Sequence, residues 1–207
     1  IINGSVKLTK ATSYTEVFAP NGELTSWTDS ETTYVYDEGG HLIDATGFRD
    51  TTSYTYDEEG NVVEKQTTHT DIDYIIKGGQ ALVSSTHTTG TIERLNEETG
   101  QLEKFATIDR TETYTYTFVA GTYKQATRTV TSTTTYEETD DEGKHLYDSQ
   151  SYTIAYEYNE GGCLIGASYT EGTRESYTFV EGVGYTTLEF TLNLSESYIK
   201  VENGVIR

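Results

Sequence analysis

Aromatic and hydroxyl-bearing residues alternate along much of this chain. Tyr114, Tyr116 and Phe118 alternate with Thr113, Thr115 and Thr117. Tyr152, Ile154, Tyr156 and Tyr158 alternate with Ser151, Thr153, Ala155 and Glu157, and Leu188, Phe190, Leu192 and Leu194 with Thr187, Glu189, Thr191 and Asn193. A period of two is the pattern of an antiparallel strand with one covered and one solvated face. No stretch carries helical apolar spacing over three turns, so the pattern predicts strands alone.

The strands are punctuated by a repeated phrase. Tyr34-Val-Tyr36-Asp37-Glu-Gly39-Gly40-His41-Leu42-Ile43 recurs as Tyr54-Thr-Tyr56-Asp57-Glu-Glu-Gly60-Asn61-Val62-Val63 and as Tyr156-Glu-Tyr158-Asn159-Glu-Gly161-Gly162-Cys163-Leu164-Ile165. Each copy is an aromatic strand, an acidic glycine turn and an aliphatic return. Turn signals of this kind continue at Gly22, Gly79, Gly100, Gly121, Gly143 and Gly182, with Asn3-Gly4 and Asn203-Gly204 near the ends. Asp or Asn followed by Gly suits the positive φ of tight hairpins. Polar segments midway between them predict a second set of turns: Thr28-Asp29-Ser30, Phe48-Arg49-Asp50, His69 to Asp71, Thr88 to Gly90, Asp109-Arg110, Asp148-Ser149, Glu171 to Thr173 and Asn193 to Glu196. The expectation is one all-β domain over residues 1–207: a repetitive antiparallel meander of short hairpins.

A sheet with one apolar face must cover it, and no helix is on hand. The meander is therefore expected to curl into an elongated flattened roll or spiral, with tyrosine rings interdigitating across about 10 Å. Tyr34, Tyr36, Tyr54, Tyr56, Tyr114, Tyr116, Phe118, Tyr156, Tyr158, Phe179, Leu188, Phe190 and Leu192 are expected to point inward. Thr55, Thr115, Thr117 and Thr153 are expected to point outward.

Composition narrows the partners. The chain has 207 residues, with 34 acidic and 14 basic side chains and a formal charge of −20. That field repels nucleic acid and anionic lipid. Near the pI of about 4.4 the repulsion vanishes, so light scattering should rise between pH 7 and pH 4.5; a flat trace would contradict this. Cys163 is the single cysteine, which rules out an intramolecular disulfide. No apolar run is long enough for a membrane-spanning helix. The chain opens at Ile1 without Met and reads as a mature or trimmed segment whose targeting signal lies outside it.

The phrases Tyr36-Asp37-Glu-Gly-Gly40-His-Leu42, Tyr56-Asp57-Glu-Glu-Gly60-Asn-Val62 and Tyr158-Asn159-Glu-Gly-Gly162-Cys-Leu164 resemble the bacterial YD repeat of Rhs-like proteins. In that family Tyr-Asp-x-x-Gly precedes a polar and an aliphatic residue, and Arg often follows the Gly; here His41, Asn61 and Cys163 stand there. The resemblance implies long antiparallel sheets on bacterial proteins that are secreted or exposed at the cell surface. Nothing in this chain corresponds to the self-cleaving core or toxin domain of full Rhs proteins.

No catalytic constellation rises from the residues. His41, His69, His87 and His145 lack the paired spacing of a metal site and read as turn or strand residues. The acidic turns at Asp37, Asp57 and Asp140 invite calcium, but the twelve-residue oxygen loop is absent, so they read as hairpin turns. Cys163 reads as the first residue after a turn, and Trp27 as a rim-packing ring that has the alternative of stacking on a sugar. Carboxylates abound, yet none is singled out as a glycosidase pair. Asn193-Leu194-Ser195 matches a glycosylation acceptor and reads as accidental. No catalytic or metal-binding residue and no cofactor is assigned, and no binding residue can be named. The reading is a non-enzymatic β-repeat protein, secreted or on a bacterial surface, that binds a protein or glycan or acts as a scaffold. The alternatives are a carbohydrate-acting enzyme and a structural spacer. Unpaired strands near Ile1–Leu8 or Tyr198–Ile206 are expected to serve for strand addition.

Overall fold

A computed structural model describes residues 5–191, 201–202 and 205–206. It is all strand and turn. β1 (Lys10–Phe18), β2 (Leu24–Tyr36), β3 (Leu42–Tyr56), β4 (Val62–Lys77), β5 (Gln80–Asn96), β6 (Gln101–Val119), β7 (Thr122–Thr139), β8 (His145–Tyr158), β9 (Leu164–Val180) and β10 (Gly184–Thr191) form one antiparallel sheet in strict chain order. β11 (Val201–Glu202) and β12 (Val205–Ile206) pair with each other. The ten-stranded sheet is open, with β1 and β10 at its edges. Tyr198–Lys200 and residues 1–4, parts of the segments expected to offer free edges, lie outside the described residues, as do Leu192 and the turns at Asn3-Gly4, Asn193 to Glu196 and Asn203-Gly204.

The acidic glycine turns fall where the sequence puts them, and their mechanism is visible. In the repeated phrase Asp37, Asp57 and Asn159 accept a bond on side-chain Oδ1 from the backbone N–H four residues on, at 2.8–2.9 Å, and Asp140 does the same for Lys144. Gly40, Gly60, Gly143 and Gly162 sit at φ of 76 to 85°, which a side chain would strain. Among the described residues the midway turns do not form. Those segments run on as strand, so each repeat holds one long strand rather than two short ones, and interior strands reach 13–19 residues. Thr-Asp-Ser or Phe-Arg-Asp is polar enough to suggest a turn, but none requires positive φ, and β-branched threonines on both sides favour the extended chain.

Nearly every hairpin carries a β-bulge just after its turn. Tyr36 pairs with Leu42 while Val35 pairs with Asp44, leaving Ile43 as the extra residue. Val63, Ser84, Phe105, Ala126 and Ile165 are bypassed in the same way. A bulge flips the facing of all that follows it. This is why the tyrosines do not share one face. Tyr34 and Tyr36 lie on what we call the inner face with Tyr114, Tyr116 and Tyr156, whereas Tyr54, Tyr56 and Phe179 lie on the outer face with Thr115. Thr55, expected outward, lies on the inner side.

Bulges also free backbone carbonyls, and tyrosine hydroxyls collect them. Tyr116 donates to the Val83 carbonyl beside bulged Ser84 at 2.7 Å. Tyr158 does the same at Gln125 beside Ala126, and Tyr56 at Leu24 beside Thr25. Tyr116→Phe should cost about 1 kcal/mol in urea unfolding, since the half-buried carbonyl loses its partner; an unchanged midpoint would show that water replaces the hydroxyl without loss.

Strands touch their hydrogen-bonded neighbours and little else. Among the described residues no second layer packs across the sheet, so the interdigitated aromatic core of a flattened roll is not formed. Phe118, Phe179 and Phe190, expected inside, are about half exposed or more. What burial there is gathers on the inner face, at Ala45, Thr70, Ala106, Glu112, Val130, Leu146 and Ile154; Thr52 and Tyr177 are the outer-face exceptions. Small side chains there are covered by long neighbours on the same face, such as Arg128 and Tyr152 around Val130.

Candidate functional site

Directly paired residues on antiparallel strands present their side chains to the same face. Following the pairing from strand to strand gives one inner-face row: Ser13, Ser30, Arg49, Thr70, Thr88, Arg110, Ser132, Gln150, Arg174 and Phe190. Arginine recurs on every third strand, at β3, β6 and β9. With strands about 4.8 Å apart, successive arginine Cα atoms stand about 14 Å from one another.

Around the centre of this row the inner face is hollowed. Two adjoining depressions, of about 520 and 600 Å3, share Arg49, Thr88 and Glu112. The first is walled by Tyr114, Tyr116, Tyr156, Gln125 and Arg128. The second is floored by hydroxyls, among them Thr28, Thr51, Thr68, Thr70 and Ser132. Thr70 and Thr88 share a hydrogen bond of 2.9 Å, and Thr28 and Thr51 one of 3.2 Å. A smaller hollow at Ser132, Thr134, Asp148, Gln150 and Arg174 carries the trough towards β9.

Glu112 organises the centre. It is 8% exposed; it accepts hydrogen bonds from Arg128 Nε and Nη2 at 2.7 Å each and from the Tyr114 hydroxyl, and it is ion-paired with Arg110 Nη2 at 2.6 Å. Burial alone would push its carboxyl up. The Arg128 and Tyr114 hydrogen bonds and the two arginine charges outweigh this and hold it down at about 2. Tyr114, buried and bonded to the carboxylate, is pushed up to about 12. A carboxyl so held is ionised at any physiological pH and has no proton to give. Arg110 keeps one donor unspent, because its Nε is buried with no hydrogen-bond partner. Arg49 has no ion pair among the described residues.

The histidines lie elsewhere. On the outer face Asp50, His69, Asp71, His87 and Asp109 cross β3 to β6, with His69 bonded to Asp50 at 2.6 Å and to Asp71 at 3.3 Å, and His87 to Asp109 at 3.0 Å. Among the described residues no group of three or more His, Cys, Asp or Glu side chains is placed to hold a metal ion. The Asp50 hydrogen bond raises the His69 pKa above 6.5. Its stabilising effect is thus complete below the unfolded value and fades as pH rises through the folded one. An NMR titration should place the His69 midpoint above 6.5 and Asp50→Asn should lower it; a midpoint at or below 6.5 would show that the pair does not form.

His41 sits in a turn, bonded to Asp37, and His145 bonds to the Tyr136 carbonyl. Cys163 is exposed on the turn after Asn159. Trp27 lies on the outer face, stacked on Tyr14 at 6.3 Å, so it takes no part in the trough. Of the residues that build the trough, Tyr114, Tyr116 and Tyr156 were expected at core positions and Thr28, Arg49, Thr70, Thr88 and Arg110 in midway turns; none was expected as a binding residue. The missed signal is weak: Arg49, Arg110 and Arg174 are spaced 61 and 64 residues apart, which is three repeats.

No protein-family model matches the chain, and no curated protein matches it. Among the described residues no helix is long and apolar enough to cross a membrane.

Proposed function

We propose that this chain is a non-enzymatic β-repeat module of the YD-repeat type, working outside a bacterial cell, whose inner face binds a glycan. The observation that carries this reading is the trough itself. It is open, and it combines a hydroxyl floor with tyrosine walls and arginine side chains. Sugars are bound by such surfaces through many polar contacts and by stacking on aromatic ring faces. Hydrolysis needs two carboxyl groups about 5–9.5 Å apart, one of them kept protonated. Among the residues lining the two central depressions Glu112 is the one carboxylate, and its pKa of about 2 unfits it as an acid. This supports binding over turnover.

A glycan array run beside a glycosidase panel on the purified chain tests the proposal. Reproducible binding without product release is expected. Hydrolysis that disappears on changing an acidic pair would overturn it in favour of an enzyme, and silence on both would favour a spacer.

A further inference from the structure

Resting on the glycan reading, we infer that the trough selects sugars bearing a single carboxylate, held between Arg49 and Arg110 above the Thr70–Thr88 hydroxyl pair.

Charge is the first ground. The chain carries −20 overall, yet the lining of the two central depressions holds Arg49, Arg110 and Arg128 against Glu112, three positive charges against one negative. The acids next to Arg49 in sequence and on the neighbouring strand are turned away: Asp50 and Asp29 lie on the outer face. The inner-face residues paired with Arg49 are Ser30 and Thr70. An arginine without a counter-ion, in a chain with 34 acidic residues, leaves a cation exposed in a hollow where field lines concentrate.

Unspent donors are the second ground. Arg110 Nη2 is ion-paired with Glu112 while its Nε stays buried without a partner. Burying an N–H unpaired is costly, and an incoming acceptor removes that cost. Thr70 and Thr88 lie between the two arginines in the row, share a hydrogen bond and line the second depression. The molecule itself shows how its arginines take a carboxylate: Arg128 grips Glu112, and Arg174 grips Asp148, each through Nε and Nη2. The planar fork matches a carboxylate's two oxygens. A single anionic group suits the site better than a polyanion, because the surrounding −20 repels a chain of charges.

The test compares neutral oligosaccharides capped with one uronate residue with their methyl esters by calorimetry on the intact chain, after an array containing uronate, sialylated, sulfated and neutral glycans. Carboxylated sugars should dominate the array. The esters should bind at least 10-fold more weakly than the acids. Arg49→Gln should lose about 10-fold or more in affinity with its melting temperature unchanged, as expected for one charge-assisted contact. Equal binding of acid and ester, a preference for neutral glycans, or full affinity in Arg49→Gln would overturn the inference while leaving glycan binding in place. Preference for sulfated polymers regardless of Arg49 would also overturn it. No binding on any arm would overturn both.

Discussion

Glu112→Ala is expected to lower the unfolding free energy by about 3 kcal/mol at pH 7, because it leaves Arg110 and Arg128 facing each other with no carboxylate between them. The Tyr114 hydroxyl loses its acceptor in the same change. Linkage gives the same order: a carboxyl held at about 2 against 4.5 when unfolded contributes about 3 kcal/mol. The folded value is depressed, so this stability is present above pH 4.5 and drains away as pH falls towards 2. Glu112→Gln therefore offers a sharper check. Its deficit against the wild type should be full at neutral pH and shrink between pH 4.5 and 2. Urea titrations over that range measure it, and a deficit independent of pH would mean that Glu112 acts through shape alone.

Gly90→Ala should cost a similar amount, about 3 kcal/mol, for a steric reason. A Cβ at Gly90 would stand 2.5 Å from the Thr67 carbonyl oxygen and 2.8 Å from Thr68 Cγ2, on the adjoining strand. Backbone cannot yield as a side chain can, so β4 and β5 would have to part in the middle of the sheet. Thr89→Ala, on the opposite face and exposed, should stay within about 0.5 kcal/mol. Equal effects from the two would show that the strands separate without penalty.

The turns were legible because Asp or Asn and Gly at fixed offsets solve a local problem: at Asp57 and Asp140 the side chain takes the N–H four residues on, and Gly supplies the positive φ. The strand lengths were less so. Polarity at Asp29, Arg49 or Asp109 suggests a turn only if one face is taken to be dry, and in a single open layer both faces are wet. The facing of the tyrosines was hidden by one residue per hairpin, since Ile43 looks like any strand aliphatic until the register shows that it is bypassed. The trough was hidden most deeply. Glu112 meets Arg128 sixteen residues later and Arg110 two residues earlier, and only the register of β6 against β7 decides that all three share a face.

Strand order that follows chain order makes this sheet extensible in sequence. Losing or duplicating one hairpin removes or adds two neighbouring strands, and the flanking strands still run antiparallel and can rejoin. The arginine row keeps a different beat, one residue on every third strand. A one-hairpin insertion between β3 and β6 would thus preserve the fold while widening the gap between Arg49 and Arg110 by about 10 Å. Changes in copy number alone can retune the spacing of charge along the trough, so ligand preference can drift between chains of this build with no point substitution in the trough.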